Sequence, residues 1–226
     1  MLSLQAKHVR MKIINRIIIL GFLLMFQVGF SQPAGYTLAS GTAKMEAEQK
    51  ITSASQKITS LQCHFVQEKT SVLLTEKAIS KGLLFYKKPN LLRWEYTSPT
   101  KLVLVLNAEN VYLKNEQGTT TNSNKLFKQL GGLIISTING DALADNENFK
   151  AEYYFSTKEK GFLWIKLIPV SKRIKDMYLS VWIKMDTVKY LASEIIMEEK
   201  SGDKTTIILT EHKLNTEISS KQFSVN

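Results

Sequence analysis

The chain has 226 residues, a formal net charge of +10, 44% hydrophobic residues and 22% charged residues. This composition is typical of a globular protein, and the charge is too sparse to keep the chain disordered by self-repulsion. Cys63 is the single cysteine, so an internal disulfide and a cysteine-based zinc site are excluded. The lysines are spread along the chain rather than clustered in a stripe. This argues against nucleic-acid binding. The positive charge is consistent with approach to anionic lipid headgroups or an acidic partner, and equally with an ordinary solvated surface that charge keeps soluble.

Residues 1–31 have the three-part pattern of a secretory signal peptide. Lys12 and Arg16 form a basic start, an apolar run follows over residues 17–30, and small residues precede a cleavage point after Ser31. We therefore expect an exported, periplasmic protein. An uncleaved membrane anchor is the alternative, but the apolar run is shorter than the ~20 residues that span a bilayer.

The expected domain organisation follows from this leader. Met11 is an alternative start, because the residues before it add nothing to the signal-peptide pattern. Residues 32–41 are expected to be a flexible lead-in. Residues 42–226 are long enough for one domain with a sizeable core, and no internal repeat or long linker divides them.

The first predicted element is an amphipathic helix over residues 42–59. Its apolar residues Ala47, Ile51, Ala54 and Ile58 recur at the spacing of one helix face. After the helix the period changes to two, which predicts that a strand begins.

That strand begins at Leu61, and Cys63 alternates in phase with Leu61 and Phe65, so we interpret the cysteine as a small buried hydrophobic residue. Aromatic and β-branched residues then predict a series of further strands. They cover residues 80–88, 91–96, 102–106, 111–113, 149–156, 161–168, 177–185, 190–199 and 204–210, and Phe223 is predicted to close a last short strand. Short turns between successive strands predict an antiparallel meander.

A second amphipathic helix is predicted over residues 124–138, inside the series of strands. Gly131 and Gly132 weaken its middle. Since it interrupts the strands, it must lie across the sheet or at its rim.

Several predicted strands are apolar on both faces, for example residues 83–86, 102–106 and 162–165. An antiparallel sheet with one wet face should instead alternate cleanly. The surplus predicts either an ordinary filled core or an apolar hollow under the helices, and hollows of that kind bind lipid-like ligands. Periodicity leaves both possibilities open.

The segment GLLFYKKPNLLRWEY at residues 82–96, followed by Ser98 and Pro99, resembles the LolA-type family of periplasmic outer-membrane lipoprotein carriers. The family pattern is a glycine, alternating apolar and aromatic residues, a basic residue, Pro-Asn, and then a tryptophan. Phe65 and Gln67 are similar to an upstream F-x-Q strand of the family. The likeness extends over almost the whole exported chain.

The resemblance implies a mainly β fold with some α (α+β), a curved, incomplete antiparallel barrel of about eleven strands with helices plugging an apolar cavity. It implies a monomeric carrier without cofactor, metal or enzyme activity. Its cargo would be acylated lipoproteins, taken from an inner-membrane ATP-driven release complex and delivered to an outer-membrane acceptor or to the outer membrane itself.

The resemblance also implies roles for single residues. Acyl chains would contact the cavity wall and the helical lid, and a basic residue before the proline, usually arginine, would latch the lid through backbone carbonyls. The implied cavity residues are Phe65, Phe85, Leu92, Trp94, Leu133, Ile134 and Ile138. The latch position is occupied here by Lys88, which lacks the planar fork of arginine, so Arg93 is a second candidate for the latch.

Two other functions are weighed against the carrier. One is a module on the same half-barrel that binds glycolipid or fatty acyl groups, or senses lipoproteins. The other is an acyl-ester hydrolase, which would need a serine near His64 or His212. No nucleophile elbow or metal-binding helix motif supports the hydrolase.

Overall fold

The computed structural model describes residues 33–73, 76–107, 110–121 and 125–224. The predicted signal peptide, residues 1–31, lies outside this part of the chain. Within the described ranges, no helix is both long and apolar enough to cross a membrane. All of the elements below belong to one compact unit, Gly35–Asn226.

The described chain forms one antiparallel sheet of twelve strands, eleven main strands and a two-residue edge strand. The strands are β1 Thr37–Leu38, β2 Ser60–Thr70, β3 Ala78–Lys87, β4 Leu91–Ser98, β5 Leu102–Asn107, β6 Asn110–Asn115, β7 Gly118–Thr121, β8 Phe149–Phe155, β9 Phe162–Pro169, β10 Tyr178–Asp186, β11 Ala192–Glu199 and β12 Lys204–Leu214. Their order is β1-β8-β9-β10-β11-β12-β2-β3-β4-β5-β6-β7. The sheet is therefore a meander with two pairings between strands that are not consecutive in the chain, β12 with β2 and β1 with β8. It is open because β1 and β7 end the order. The predicted curved, incomplete antiparallel barrel is confirmed.

Three α-helices and two short 3₁₀ helices complete the described fold. They are α1 Gly41–Gln56, α2 Lys125–Asn139, α3 Lys172–Lys175 and the 3₁₀ helices Asp141–Leu143 and Ser220–Phe223. The prediction of a last short strand at Phe223 is wrong, because Ser220–Phe223 is a 3₁₀ helix. Ser219 Oγ accepts a hydrogen bond from Lys221 N, which starts a helical turn instead.

One face of the sheet, called here the helix-covered face, packs against α1 and α2. Alternate strand residues such as Phe65, Leu84 and Trp94 form one apolar cluster with Ile51 of α1 and Ile134 of α2. Successive side chains of a strand point to opposite faces, so residues in this phase are buried together. The core therefore lies between the sheet and the two helices.

The other face, called the outer face, carries two smaller apolar clusters that the chain ends cover. Tyr36 covers Tyr154, Trp164 and Trp182. Near the C-terminal end of the described chain, Ile218 and Phe223 cover a patch of β3 and β5. These covers explain why several strands are apolar in both phases.

The start of the folded chain differs from the expected flexible lead-in over residues 32–41. Thr37 and Leu38 pair with Phe155 and Tyr154 at the sheet edge. Ala39 N also donates to Tyr153 O at 2.7 Å. Backbone pairing and the burial of the preceding tyrosine hold this segment in the sheet.

Two local features set the shape of the helix-covered face. Gly82 lies under the Phe65 ring, and an added Cβ would come within 2.5 Å of that ring and 1.9 Å of Glu95 O, so a glycine is required there. In β10 the register shifts between Tyr178 and Ser180, and Leu179 is left 59% exposed although it alternates in phase with the buried Val181. A β-bulge of this kind turns a side chain away from its expected face.

Candidate functional site

A small apolar cavity lies between α2 and the helix-covered face. It is lined by Ile134, Thr137 and Ile138 of α2 and by sheet residues that include Trp94 and His212. Its volume is about 30 Å³, which is room for roughly one or two water molecules. The interior is therefore almost filled, and an acyl chain could enter it only if α2 moved away from the sheet.

Of the other predicted cavity residues, two lie in the main apolar cluster, one lines an open cleft, and one, Phe85, lies on the outer face. Phe65 and Leu92 are buried in the same apolar cluster, and the Phe65 and Trp94 rings lie 4.3 Å apart. Leu133 lies on α2 but lines an open cleft rather than the interior cavity. The contact of any of these side chains with an acyl chain stays a prediction.

Phe85 is placed on the wrong face by the prediction. Its neighbours Leu84 and Tyr86 point to the helix-covered face, so Phe85 points to the outer face, where it packs against Val105 and Phe223. Its burial comes from the C-terminal cover and not from the interior.

Arg93 is also on the outer face, where it cannot reach a helix that covers the interior. It pairs with Phe85 in the β3–β4 register. Its Nε donates to Glu95 Oε2 at 2.8 Å, and its Nη1 donates to Gln222 O at 3.3 Å. The arginine therefore holds the C-terminal 3₁₀ helix, and its proposed role in latching the lid is wrong.

Lys88 contacts a covering helix, but a different one from the predicted lid. Its Nζ donates to Gln56 O, the last residue of α1, at 2.6 Å. The side chain thus satisfies a carbonyl that the helix end leaves without an intrahelical partner. In the described part of the chain, the Lys88 side chain forms no hydrogen bond with α2.

The contact that fastens α2 was not predicted from the sequence. Tyr86 is fully buried, and its hydroxyl donates to Asn139 Oδ1 at 2.5 Å. Burial raises the pKa of the Tyr86 phenol above its ordinary value, so the hydroxyl keeps its proton at neutral pH. The phase of β3 could have identified Tyr86 as inward-facing, but only the fold brings the last residue of α2 to it.

Gly131 fixes how closely α2 approaches the sheet. A Cβ at this position would come within 2.6 Å of the Leu106 side chain. Gly132, the next residue, has open space around its Cα. Close packing of α2 on β5 therefore requires a glycine at position 131 but not at position 132.

Two titratable groups near the interior are held neutral. Burial lowers the pKa of His212 below its ordinary value, and the imidazole Nε2 lies 3.1 Å from Ala192 O, to which it can donate. Burial raises the pKa of the Cys63 thiol to about 12. The thiol is fully buried, which confirms the interpretation of Cys63 as a small hydrophobic residue.

These observations define a class of protein: an open antiparallel half-barrel whose apolar face is covered by two helices, one of them tied at its end to the sheet by the Tyr86–Asn139 hydrogen bond. The family model "Outer membrane lipoprotein carrier protein LolA" matches residues 56–226. The chain belongs to this family, and the resemblance of the segment at residues 82–96 is confirmed.

Two curated relatives agree with this assignment, and a solved structure shares the fold. The chain is 26% identical over 195 residues to an outer-membrane lipoprotein carrier protein of Pseudomonas paraeruginosa, covering 83% of this chain and 89% of that protein. It is 25% identical over 181 residues to the protein of the same name in Pseudomonas aeruginosa, covering 79% and 82%. The crystal structure of MucB aligns with a TM-score of 0.50 at 11% identity, over 83% of this chain and 64% of that one, and this likeness concerns the fold alone.

Proposed function

We propose that the protein is a periplasmic carrier that shelters the acyl chains of lipoproteins beneath α2 and ferries them from the inner to the outer membrane. Membership of the lipoprotein carrier family is the observation that carries this proposal. The helix-covered apolar face supplies the physical means. An acyl chain cannot cross water unaided, since each exposed CH₂ is unfavourable by about 0.8 kcal/mol.

The proposal includes the route and the partners. The signal peptide of residues 1–31 would direct export, and the protein would act as a monomer in the periplasm. An inner-membrane ATP-driven release complex would supply the acylated lipoprotein, and an outer-membrane acceptor or the membrane itself would receive it. The carrier would perform no covalent chemistry and bind no nucleic acid.

The nearly filled interior determines how cargo would be taken up. Because only about 30 Å³ is open, α2 must be displaced as the chain enters. Ile134, Ile135 and Ile138 would then leave their contacts with the sheet, and the acyl chain would replace them. Uptake by exchange of one apolar surface for another is nearly balanced in free energy, which suits a carrier that must release its cargo.

A spheroplast release assay tests the proposal. The protein purified from periplasm is added to spheroplasts that accumulate an acylated lipoprotein, and soluble complex is measured. We expect release by the natural chain and a several-fold loss with Ile138→Asn, because a polar amide would face the acyl chain. The matched control is Ile208→Asn, at a strand position that is 46% exposed. Equal release by the two variants, with both folded, would contradict uptake beneath α2.

A further inference from the structure

An open cleft lies on the side of α2 that faces away from the interior cavity. Leu133 and Ser136 of α2 form one wall. Phe149, Ile174 and Met177 form an apolar floor that belongs to or packs against the main core. The cleft volume is about 380 Å³, which falls within the range of roughly 300–1,000 Å³ that ligand pockets occupy. The interior cavity, at about 30 Å³, does not.

Among the described residues that line the cleft, both charged side chains are cations, and Lys128 has an interaction partner of its own. Arg173 of α3 and Lys128 of α2 are the charged residues in the lining. The Arg173 side chain is exposed and forms no ion pair with any residue that the structure describes. An apolar floor beside an unpaired guanidinium is complementary to an amphiphile with an acidic head.

Two neighbouring carboxylates, Asp176 and Glu199, are already ion-paired with lysines, whereas Glu147 is hydrogen-bonded to a neutral amide and keeps its charge. These contacts are the Lys172–Asp176 ion pair at 3.1 Å, the Lys69–Glu199 ion pair at 3.3 Å and the Asn148–Glu147 hydrogen bond at 3.4 Å. The exposed Lys175 adds a further positive charge on α3. The corner around α3 is therefore cationic beside an apolar surface.

We infer that this cleft is a second lipid site, which takes one acyl chain that carries an anionic headgroup. The acyl chain lies on the floor formed by Phe149, Ile174 and Met177, and Arg173 pairs with the headgroup. A guanidinium presents two parallel N–H donors to a carboxylate or a phosphate, and such bidentate pairs are stronger than neutral hydrogen bonds. The inference goes beyond the proposed function, because the ligand is an anionic lipid rather than a lipoprotein and the site is separate from the interior cavity beneath α2.

Equilibrium binding of defined lipids by titration calorimetry tests this site. We expect palmitate to bind about tenfold more tightly than monopalmitoylglycerol, which has the same chain and no charge. Arg173→Glu should weaken palmitate binding at least tenfold. Lys189→Glu removes an exposed cation far from the cleft and should leave binding unchanged. Equal affinity for the charged and neutral lipids, or equal binding by the two charge variants, would overturn the inference.

Two further experiments identify the lipid that supplies the anionic headgroup and the position of its acyl chain. Co-sedimentation with phosphatidylglycerol vesicles, compared with phosphatidylcholine vesicles, would assign the headgroup to a membrane phospholipid. Binding of palmitate alone would assign it to a free fatty acid. Met177→Trp fills the floor and should abolish palmitate binding, with Leu133→Trp as the second variant if the first does not fold. Palmitate binding that survives both substitutions would refute the site.

The two proposals can fail separately. Ile138→Asn, which should impair lipoprotein release, faces the interior and should leave palmitate binding intact. Arg173→Glu should do the reverse. If Ile138→Asn alone abolished both activities, the acyl chain of palmitate would lie in the interior, and the second site would be wrong.

Discussion

The hydrogen bond between Tyr86 and Asn139 should control how often α2 leaves the sheet. Tyr86→Phe removes only the hydroxyl and keeps the buried ring in the apolar cluster. Since the bond joins the last residue of α2 to β3, its loss should favour detachment of α2 over unfolding of the sheet. The substitution therefore separates movement of the helix from stability of the barrel.

The size of the effect follows from the environment of the bond. A net intramolecular hydrogen bond contributes about 0.5–1.5 kcal/mol, because water replaces it when it breaks. Asn139 is only partly buried, so its amide can find water in the variant. The population with α2 detached should therefore rise about two- to tenfold.

Hydrogen exchange measured by mass spectrometry reports this population. Amides of Lys125–Asn139 should exchange about two- to tenfold faster in Tyr86→Phe, whereas amides of β10 should be unchanged. Lys88→Met removes the bond to the end of α1 and is the matched control, with faster exchange confined to α1. A double variant with Asn139→Ala should show little further increase beyond the larger single effect, since both remove the same bond.

Either of two results would refute the reasoning. Unchanged exchange in α2 would mean that the Tyr86–Asn139 bond does not hold the helix on the sheet. Equal acceleration in α2 and β10 would mean that α2 and the sheet open as one unit, so uptake beneath α2 would require unfolding of the carrier.

Two other predictions concern stability. In urea titrations, Gly82→Ala should lower the free energy of unfolding by about 1–3 kcal/mol or more, because the new methyl group would overlap Glu95 O and the Phe65 ring. Gly132→Ala, in an open helical position, should raise the free energy of unfolding by about 0.5–1 kcal/mol. Loss of stability in both variants would contradict the local geometry. Burial lowers the pKa of His212 in the folded state, so the unfolded chain binds more protons than the folded chain as the pH falls through about 6.5. The urea midpoint should therefore fall as the pH is lowered through about 6.5, and it should fall by more in the natural chain than in His212→Gln. An identical pH dependence in the two proteins would show that other groups cause the decline.

Local periodicity and the motif at residues 82–96 were sufficient to predict the sheet, both main helices and the burial of Cys63. The phase of a strand is a short-range property, so Leu92 and Trp94 could be placed on the face that the helices cover. Phe85 is apolar in the opposite phase, and nothing in β3 itself indicates that Phe223, far along the chain, covers it. Its assignment to the cavity failed because the cover is a tertiary contact.

The latch shows the same limit for polar residues. A lysine before the proline predicts an ammonium group that binds a backbone carbonyl. Lys88 does bind a carbonyl, that of Gln56 at the end of α1. Which helix end lies there is set by tertiary packing, because Gln56 ends α1 and is 32 positions from Lys88 in the sequence. The Tyr86–Asn139 bond joins residues 53 positions apart, and neither residue belongs to a pattern that predicts the other.

The nearly closed interior and the Tyr86–Asn139 bond at the end of α2 together influence the energetics of uptake. Displacing Ile134, Ile135 and Ile138 from the sheet would expose three large side chains, which is unfavourable by about 1.5–3 kcal/mol for each. The total, roughly 5–9 kcal/mol, equals the gain from burying about six to eleven methylene groups. One long acyl chain would thus offset the opening, and only the methylenes beyond that number would contribute to affinity. A filled interior would therefore allow a carrier to bind an acyl chain reversibly. A permanently open cavity would instead hold the chain with the full free energy of its burial.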